Sequence, residues 1–436
     1  METSQAKKYL LDKKEDFRKI TVFPRFLSFI STSRFITTVI GPRRAGKTYA
    51  LYGFIKKNLS DEDFLLANFE DVDLSGISPV EAKELISIHA QLYKKNPRFL
   101  FLDEIQALAG WQKLVLSLYE SKQFIIFLSG SSSRLLSKEI ATSLRGRSLS
   151  HLVLPLSFAE FLVFQGIHQD LEKLSSTQEN KLLAAFERYV DLGGFPDIVL
   201  EPERAEQFLR DYFDVVVYRD IIERFQVQNT GIVRFLMQAA LSSFSSVVSV
   251  HRIFQTAKSK NLEVSKKTLY TYMNHLEESF FVFLLKKFSF SARESASSLP
   301  KLYLNDVGLR NVLHSASSEK GKSYENIVFL ELKRRQNEHP LQELFYYRIQ
   351  PHDYEVDFVV KEKSSILQLI QVVAGGGEEK EREVRALLLA GRDLNCKNLL
   401  VLTEDKEGEK TIHWHGVKGR VRFLPVWKWL LRGDVF

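Results

Sequence analysis

The residues best suited to chemistry are Gly41-Pro42-Arg43-Arg44-Ala45-Gly46-Lys47-Thr48, a Gly-x-x-x-x-Gly-Lys-Thr run. It follows the apolar pair Val39-Ile40 and precedes a helical stretch that ends near Asn58. A loop wraps phosphates when its backbone N–H groups turn inward, and Gly41 and Gly46 permit that curvature without a clashing Cβ. A helix starting near Lys47 adds the positive end of its dipole. In that chemistry Lys47 reaches the β- and γ-phosphates of ATP and the Thr48 hydroxyl ligates Mg²⁺. The loop from Gly41 to Tyr49 lines the nucleotide. The plain alternative is a glycine-rich turn between strand and helix, which does not require Lys-Thr at those positions.

Phe99-Leu100-Phe101-Leu102-Asp103-Glu104 carries the second piece of chemistry. Acidic residues at the carboxyl end of a buried strand point into the crevice where α/β sheets bind ligands. Asp103 would hold Mg²⁺ through water, and Glu104 would orient and polarise an attacking water. Asp-Glu after a strand is also a common helix cap. Downstream, an apolar run ends in Ser129-Gly130-Ser131, where Ser129 or Ser131 could sense the γ-phosphate or simply cap a turn. Arg145 and Arg147 flank Gly146 just before the next apolar run. An arginine finger would be delivered to a neighbour's nucleotide from there, and pairing within its own subunit is the alternative.

These groups need a parallel sheet to hold them. Short, nearly all-apolar runs at 35–40, 64–69, 99–102, 124–128 and 149–154 alternate with helical patterns, as buried parallel strands with crossover helices do. The charged amino terminus reads as a helix leading into this core and lacks the apolar segment of a signal peptide.

The motifs named so far, together with Pro155-Leu156-Ser157-Phe158-Ala159-Glu160-Phe161, Gly193-Gly194-Phe195-Pro196 and Tyr218-Arg219-Asp220-Ile221, resemble the AAA-type ATPases of archaea and bacteria that carry a carboxy-terminal domain of unknown function. The resemblance spans most of the chain. It implies an α/β architecture: an ATPase core over 1–155, a helical lid over 156–235, a winged helix over 236–300 and a restriction-endonuclease-like α/β domain over 301–436. It also implies that the Gly193-Gly194 turn lies near the nucleotide base, with a plain helix–helix connection as the alternative, and that the ring is hexameric.

Helical patterns at 158–164, 179–192, 203–217 and 220–225 suit the lid. Over 236–300, a helix near 232–242 is followed by 249–258, by a helix from Ser265 to Glu277 and by a strand pair or wing at 280–288. Lys266, Lys267, Lys286, Lys287 and Arg293 are the candidates for nucleic-acid phosphates, and a domain used only for packing is the alternative. In the last domain, Glu325 or Glu331 on a helix, then Asp357, then Gln371 follow the restriction-endonuclease layout. Valine stands at 373, where the lysine that steadies an attacking hydroxide belongs. Valine cannot hydrogen-bond a nucleophile, so this domain is expected to be inactive and to serve as a binding or assembly platform. His413 and His415 have no acidic partner at metal-site spacing and read as structural. The amphipathic stretch at 421–431 is expected to pack on its own domain.

The 436 residues exceed one core, so two to four domains are expected. No apolar run approaches the ~20 residues that span a bilayer. The single cysteine, Cys396, excludes an internal disulfide and suits a reducing cytoplasm. A net charge of +7 fits a polyanionic partner, or a Lys/Glu-rich surface that ended slightly positive. The composite expectation is a Mg²⁺-dependent ATPase in a homo-oligomeric ring, off the membrane, that couples hydrolysis to DNA binding, translocation or remodelling, including branched DNA such as Holliday junctions. A nucleotide-dependent switch or scaffold that binds a protein partner and an ATP-gated nuclease are the rivals.

Overall fold

The computed structural model describes residues 2–131, 146–167, 171, 173–313, 320–349, 354–375 and 378–432. Two compact units divide between Leu154 and Pro155. The first is a five-stranded sheet of β1 (Ile36–Ile40), β2 (Phe64–Asn68), β3 (Phe99–Asp103), β4 (Ile125–Gly130) and β5 (Ser148–Leu152), in the order β2-β3-β4-β1-β5. Every pairing is parallel. The first four strands are buried almost throughout, because both faces are covered, and only Thr37, Thr38 and the polar carboxyl ends interrupt their apolar residues. The helices are α1 (Thr3–Lys19), α2 (Lys47–Asn58), α3 (Pro79–Tyr93) and α4 (Trp111–Glu120). Val39, Leu51, Ile55, Phe64, Phe101 and Phe127 form the core on one side. The α3 helix starts where its sequence says it should: Pro79 occupies the first turn, and Ser78 and Glu81 cap each other's backbone.

The order of strands matters for chemistry. β4 lies between β1 and β3, with Val39 level with Ser129 and Leu102 level with Leu128. The carboxyl ends of β1, β4 and β3 therefore bring the Gly41–Thr48 loop, Ser129 and Asp103 to one edge.

The second unit opens with α5 (Phe158–Phe164), α6 (Ser176–Leu192), α7 (Pro196–Leu200) and α8 (Ala205–Val215). The helices expected at 203–217 and 220–225 are one rod: α8 runs directly into a π-helical stretch at Val216–Glu223. Val216, Val217, Asp220 and Ile221 are buried and continue the helical spacing set by Leu209, Tyr212 and Phe213, so one buried stripe runs the length of the rod. Next come α9 (Thr230–Ser242), β6 (Ser246–Val247), α10 (Val250–Ser259), α11 (Lys266–Glu278), β7 (Val282–Leu285), α12 (Ala292–Ser297) and β8 (Lys301–Leu304). β8 is central in a three-stranded sheet, antiparallel to both β6 and β7, so residues on either side of position 300 share it.

The last part is a six-stranded sheet in the order β13-β14-β12-β11-β10-β9. Its strands are β9 (Gln342–Ile349), β10 (Tyr354–Glu362), β11 (Ser365–Val373), β12 (Leu399–Thr403), β13 (Gly408–Trp414) and β14 (Val417–Pro425). Helices α13 (Lys320–Glu338), α14 (Glu378–Asp393) and α15 (Val426–Leu431) accompany it. The stretch expected as one amphipathic element at 421–431 is divided at Pro425, which cannot continue the strand's hydrogen bonding and stands at the cap of α15. Trp427 and Trp429 are fully buried within this unit. No described helix is long and apolar enough to cross a membrane.

The Gly193-Gly194 turn is held by a buried acid. Asp306 accepts hydrogen bonds from the amides of Gly194 (2.7 Å) and Gly308 (2.8 Å). Gly193 has φ +79°, and a Cβ there would lie 1.8 Å from Asp306 Oδ1. Burial pushes the Asp306 carboxyl up to about 7, against the two amide donors that favour its charged form. A folded-state value raised this way contributes stability below the ordinary carboxylate range, and the contribution is lost as pH rises toward 7.

Two outcomes follow for urea unfolding. Gly193→Ala should cost about 3 kcal/mol, through strain and the displaced Asp306. Gly166→Ala, also at positive φ but with open space around its Cβ site, should cost about 1 kcal/mol. Between pH 4 and 7 wild-type stability should decline more steeply than that of Asp306→Asn; equal slopes would contradict the buried, protonated carboxyl.

Candidate functional site

The loop after β1 has the shape its glycines allow. Gly41 has φ +146° and Gly46 φ +87°, and a Cβ on Gly41 would lie 1.9 Å from the carbonyl oxygen of Val153. Only glycine lets the loop begin against that backbone. Arg25 holds the loop from the other side, donating to the carbonyls of Ala45 (2.7 Å) and Leu154 (2.8 Å). Pro42 and Ala45 are buried, Arg44 is exposed and Arg43 lies 3.5 Å from Glu70. Lys47 is the first residue of α2; its buried ammonium donates to the carbonyls of Gly41 (3.3 Å) and Pro42 (3.1 Å) and lies 3.8 Å from Glu104. Tyr49 is half exposed and borders a cleft of about 310 Å³ with Pro24, Leu27 and Phe54.

Asp103 links three strands. Its Oδ2 accepts from the Thr48 hydroxyl at 2.8 Å and from the Asn68 amide at 3.4 Å, and its Oδ1 accepts from the Ser129 hydroxyl. Ser129 Oγ in turn accepts from the Glu104 amide at 3.1 Å. Burial and the adjacent Glu104 charge push the Asp103 carboxyl up, while the Ser129 and Thr48 hydroxyls oppose the shift. Glu104 goes the other way. Burial raises it, but the Lys47 charge, the Gln106 amide, Arg43 and the Ser131 backbone outweigh that and hold it below the usual carboxylate range. Glu104 also sits at φ +46°, which turns its side chain toward Lys47.

The hydroxyl of Thr48 and the carboxylate of Asp103 are hard oxygen donors 2.8 Å apart. That pair suits Mg²⁺, which keeps most of its waters and takes few protein ligands beside substrate phosphates. Among the described residues no group of three or more His, Cys, Asp or Glu is arranged to hold a metal.

The structure thus brings Lys47, Thr48, Asp103, Glu104, Ser129 and the buried Ser131 to one edge. Arg25, Asn68 and Gln106 complete the edge without any motif to announce them; only Asn68, a polar residue closing the apolar run of β2, leaves a sequence signal. Arg145 lies outside the described residues. Arg147 precedes β5, lies 3.7 Å from Glu120 and sits over the Tyr119 ring, so it has partners in its own chain.

Lys266 and Lys267 are exposed at the start of α11, where Ser265 accepts from the Thr268 amide as expected of a cap. Lys286 and Arg293 are exposed. Lys287 is mostly covered and pairs with Glu294 at 3.0 Å, so its charge is already engaged.

The acidic positions of the last part also come together. Lys301 Nζ lies 2.7 Å from Glu325, 2.7 Å from Glu355 and 3.0 Å from Asp357. Gln371 accepts from the Asp357 amide at 3.3 Å and donates to Glu383 at 2.6 Å. Glu331 is elsewhere, paired with Arg334 and Arg335.

Comparison with known proteins matches three successive stretches of the chain. A family model described as an AAA domain matches residues 33–162, and two domains of unknown function, DUF8612 and DUF4143, match 183–320 and 320–426. The chain is 37% identical over 430 residues to an uncharacterized protein of Methanocaldococcus jannaschii, covering 97% of this chain and 94% of that one. It is 29% identical over 342 residues to an uncharacterized protein of Haemophilus influenzae, covering 76% and 81%. Among solved structures, AMPPCP-bound DnaA from Aquifex aeolicus is 15% identical, with 61% of this chain and 85% of that one covered and a TM-score of 0.24. The Aeropyrum pernix ORC1 protein in complex with DNA is 12% identical, with 72% and 92% covered and a TM-score of 0.28. Superpositions that loose carry no argument about function.

Ser129→Ala should leave Asp103 Oδ1 short of a donor in a buried place and destabilise the first unit by about 1–3 kcal/mol. Thermal unfolding checks this; an unchanged midpoint would mean the Ser129 hydroxyl does not hold the acid.

Proposed function

This chain belongs to the family of the M. jannaschii protein and carries an AAA domain, and we propose that it hydrolyses ATP with Mg²⁺ and couples the cycle to binding and remodelling DNA. The observation that carries the ATPase reading is the Thr48–Asp103 hydrogen bond beside the Lys47–Glu104 pair, all at the mouth of a loop whose glycines, Gly41 and Gly46, take positive φ.

The proposed roles follow from the side chains. The N–H groups of the loop and Lys47 would cradle the β- and γ-phosphates, and Lys47 would exchange its carbonyl and Glu104 contacts for phosphate oxygens. Thr48 and Asp103 would hold Mg²⁺, which would neutralise negative charge on the phosphates. Glu104, held ionised by its surroundings, would orient the attacking water; its low basicity suits positioning more than full proton abstraction. Ser129 would fix Asp103, and Ser131 would report on the γ-phosphate. Arg145 or Arg147 would act on a neighbour's nucleotide in a homo-oligomeric ring, hexameric by likeness to the family. The Arg147–Glu120 pair is partly exposed and weak, so a phosphate could compete for the guanidinium.

For DNA, the support is the chain's net positive charge and the order helix, strand, helix, helix, strand, short helix, strand over 230–304, which we read as a winged helix. Its helix α11 opens with exposed Lys266 and Lys267. We place the phosphate-tracking surface there, with Lys286 and Arg293 as further contacts and Lys287 as a supporting residue bound to Glu294.

Lys47→Ala should abolish ATP binding. Glu104→Gln should bind ATP yet turn over about 10²–10⁴-fold more slowly; normal turnover would remove Glu104 from its proposed role. Single-stranded, duplex and four-way DNA should each be tested for stimulation of turnover. Strong stimulation is expected, and flat, slow turnover would favour a nucleotide switch that binds a protein partner. Lys266→Glu with Lys267→Glu should weaken DNA binding and flatten its salt dependence by roughly one unit of slope per lost phosphate contact. An unchanged slope would move the DNA surface elsewhere.

A further inference from the structure

The pocket around Lys301 lies within the second unit and rests on none of the ATPase argument. Lys301 arrives on β8, where its backbone pairs with Leu285 of β7 and Val247 of β6. Its side chain leaves that sheet and ends among carboxylates carried by two other elements. Glu325 comes from α13, and Glu355 and Asp357 come from β10, two residues apart and so on one face of the strand. The three oxygens lie 2.7, 2.7 and 3.0 Å from Nζ, and the lysine side chain is only 3% exposed.

We propose that the ammonium of Lys301 is the resident cation of this acidic pocket, filling with a side chain the place a divalent ion would hold in a hydrolytic centre of this layout. The pocket is then a fastening between the three-stranded and six-stranded sheets and not a centre for phosphodiester cleavage.

The hydrogen-bond inventory supports this. An ammonium has three N–H donors, and here three carboxylates stand within donating distance, so the donors and acceptors match one to one. A lysine so engaged has no N–H left to steady an attacking hydroxide, which also excludes Lys301 as a relocated substitute for the lysine missing at Val373. The carboxylates are occupied in turn. Glu325 Oε1 accepts from the Tyr303 hydroxyl at 2.6 Å as well as facing the ammonium. Asp357 Oδ2 accepts from the Val372 amide at 2.9 Å, which leaves Oδ1 for Lys301. Gln371 spends both ends of its amide elsewhere, on the Asp357 backbone and Glu383. Burial works against the charged lysine, but Glu325, Tyr303, Asp357 and Glu355 more than compensate and hold its proton well above the ordinary lysine range.

The seam continues in the backbone. Tyr346 of β9 donates from its amide to the Lys286 carbonyl at 3.1 Å, and its carbonyl accepts from the Phe288 amide at 2.7 Å. The Tyr303 ring stacks on Phe329 of α13 with centroids 4.1 Å apart. Charge, strand pairing and ring stacking therefore join the same two parts of the unit, which would move together.

The test uses the full chain. Lys301→Met strands buried carboxylates and should lower the unfolding midpoint of the second unit by about 10 °C. Adding Glu325→Gln and Asp357→Asn to that variant removes the stranded charges and should recover most of the loss. A triple variant no more stable than Lys301→Met would overturn the proposal, and so would a Lys301→Met protein as stable as wild type. Should Lys301→Met fail to fold, a soluble triple variant still supports the account, and an insoluble one contradicts it. Independently, Mn²⁺ titrations of wild type and of Glu355→Gln, without nucleotide and followed by electron paramagnetic resonance, should be indistinguishable. A site in the wild type that Glu355→Gln loses would mean that a metal displaces the lysine.

Discussion

Asp103 is the group on which the first unit depends. It is an almost fully buried carboxylate with donors from three different elements: Thr48 after β1, Asn68 at the end of β2 and Ser129 at the end of β4. A buried carboxylate without partners would be costly, so the three donors stabilise the acid and the acid fixes the donors. The loop after β1 is thereby registered against β3 even though β4 lies between them. This is how a parallel sheet, built for burial, comes to present hydroxyl, ammonium and carboxylate groups at a single edge.

The two neighbouring acids are pushed in opposite directions by their surroundings. Asp103 is raised by burial and by Glu104, and Glu104 is lowered chiefly by Lys47. Burial raises both; it prevails at Asp103, whereas at Glu104 it is outweighed by Lys47, Gln106, Arg43 and the Ser131 backbone together, and Lys47 is a cation that a triphosphate would draw away. Loss of the Lys47 contact would free Glu104 to meet a water. The nucleotide site and the pocket of Lys301 use the same elementary device, an ammonium beside carboxylates, with different outcomes. Lys47 is 3.8 Å from its acid and can leave it, whereas Lys301 is held by three.

The sequence was informative where chemistry demands particular residues at fixed spacing. The meeting of Gly41, Gly46, Lys47, Thr48, Asp103 and Glu104 at one sheet edge was legible, as were the five parallel strands, because a glycine-flanked loop between strand and helix and strands buried on both faces leave few alternatives. Residues that act through tertiary contact were not. Arg25 reaches Ala45 and Leu154 from a segment with no motif. Lys301 lies 56 residues from Asp357 and opens a short strand, so nothing local marks it as the counter-charge of that acid. The same distance effect hid the reason for Gly193-Gly194: the turn itself was readable, but Asp306 lies 112 residues from Gly194. The rod through Val216–Glu223 reads as two helices in sequence because exposed Tyr218 and Arg219 fall between the buried pairs Val216-Val217 and Asp220-Ile221.

The central claim is that a triphosphate binds at the edge organised by Asp103. Isothermal titration calorimetry of the wild-type chain with ATP and Mg²⁺ tests it most directly. One saturable site per chain that is lost on withholding the metal or replacing ATP by adenosine is the predicted result; no saturable binding under any of these conditions would contradict the account.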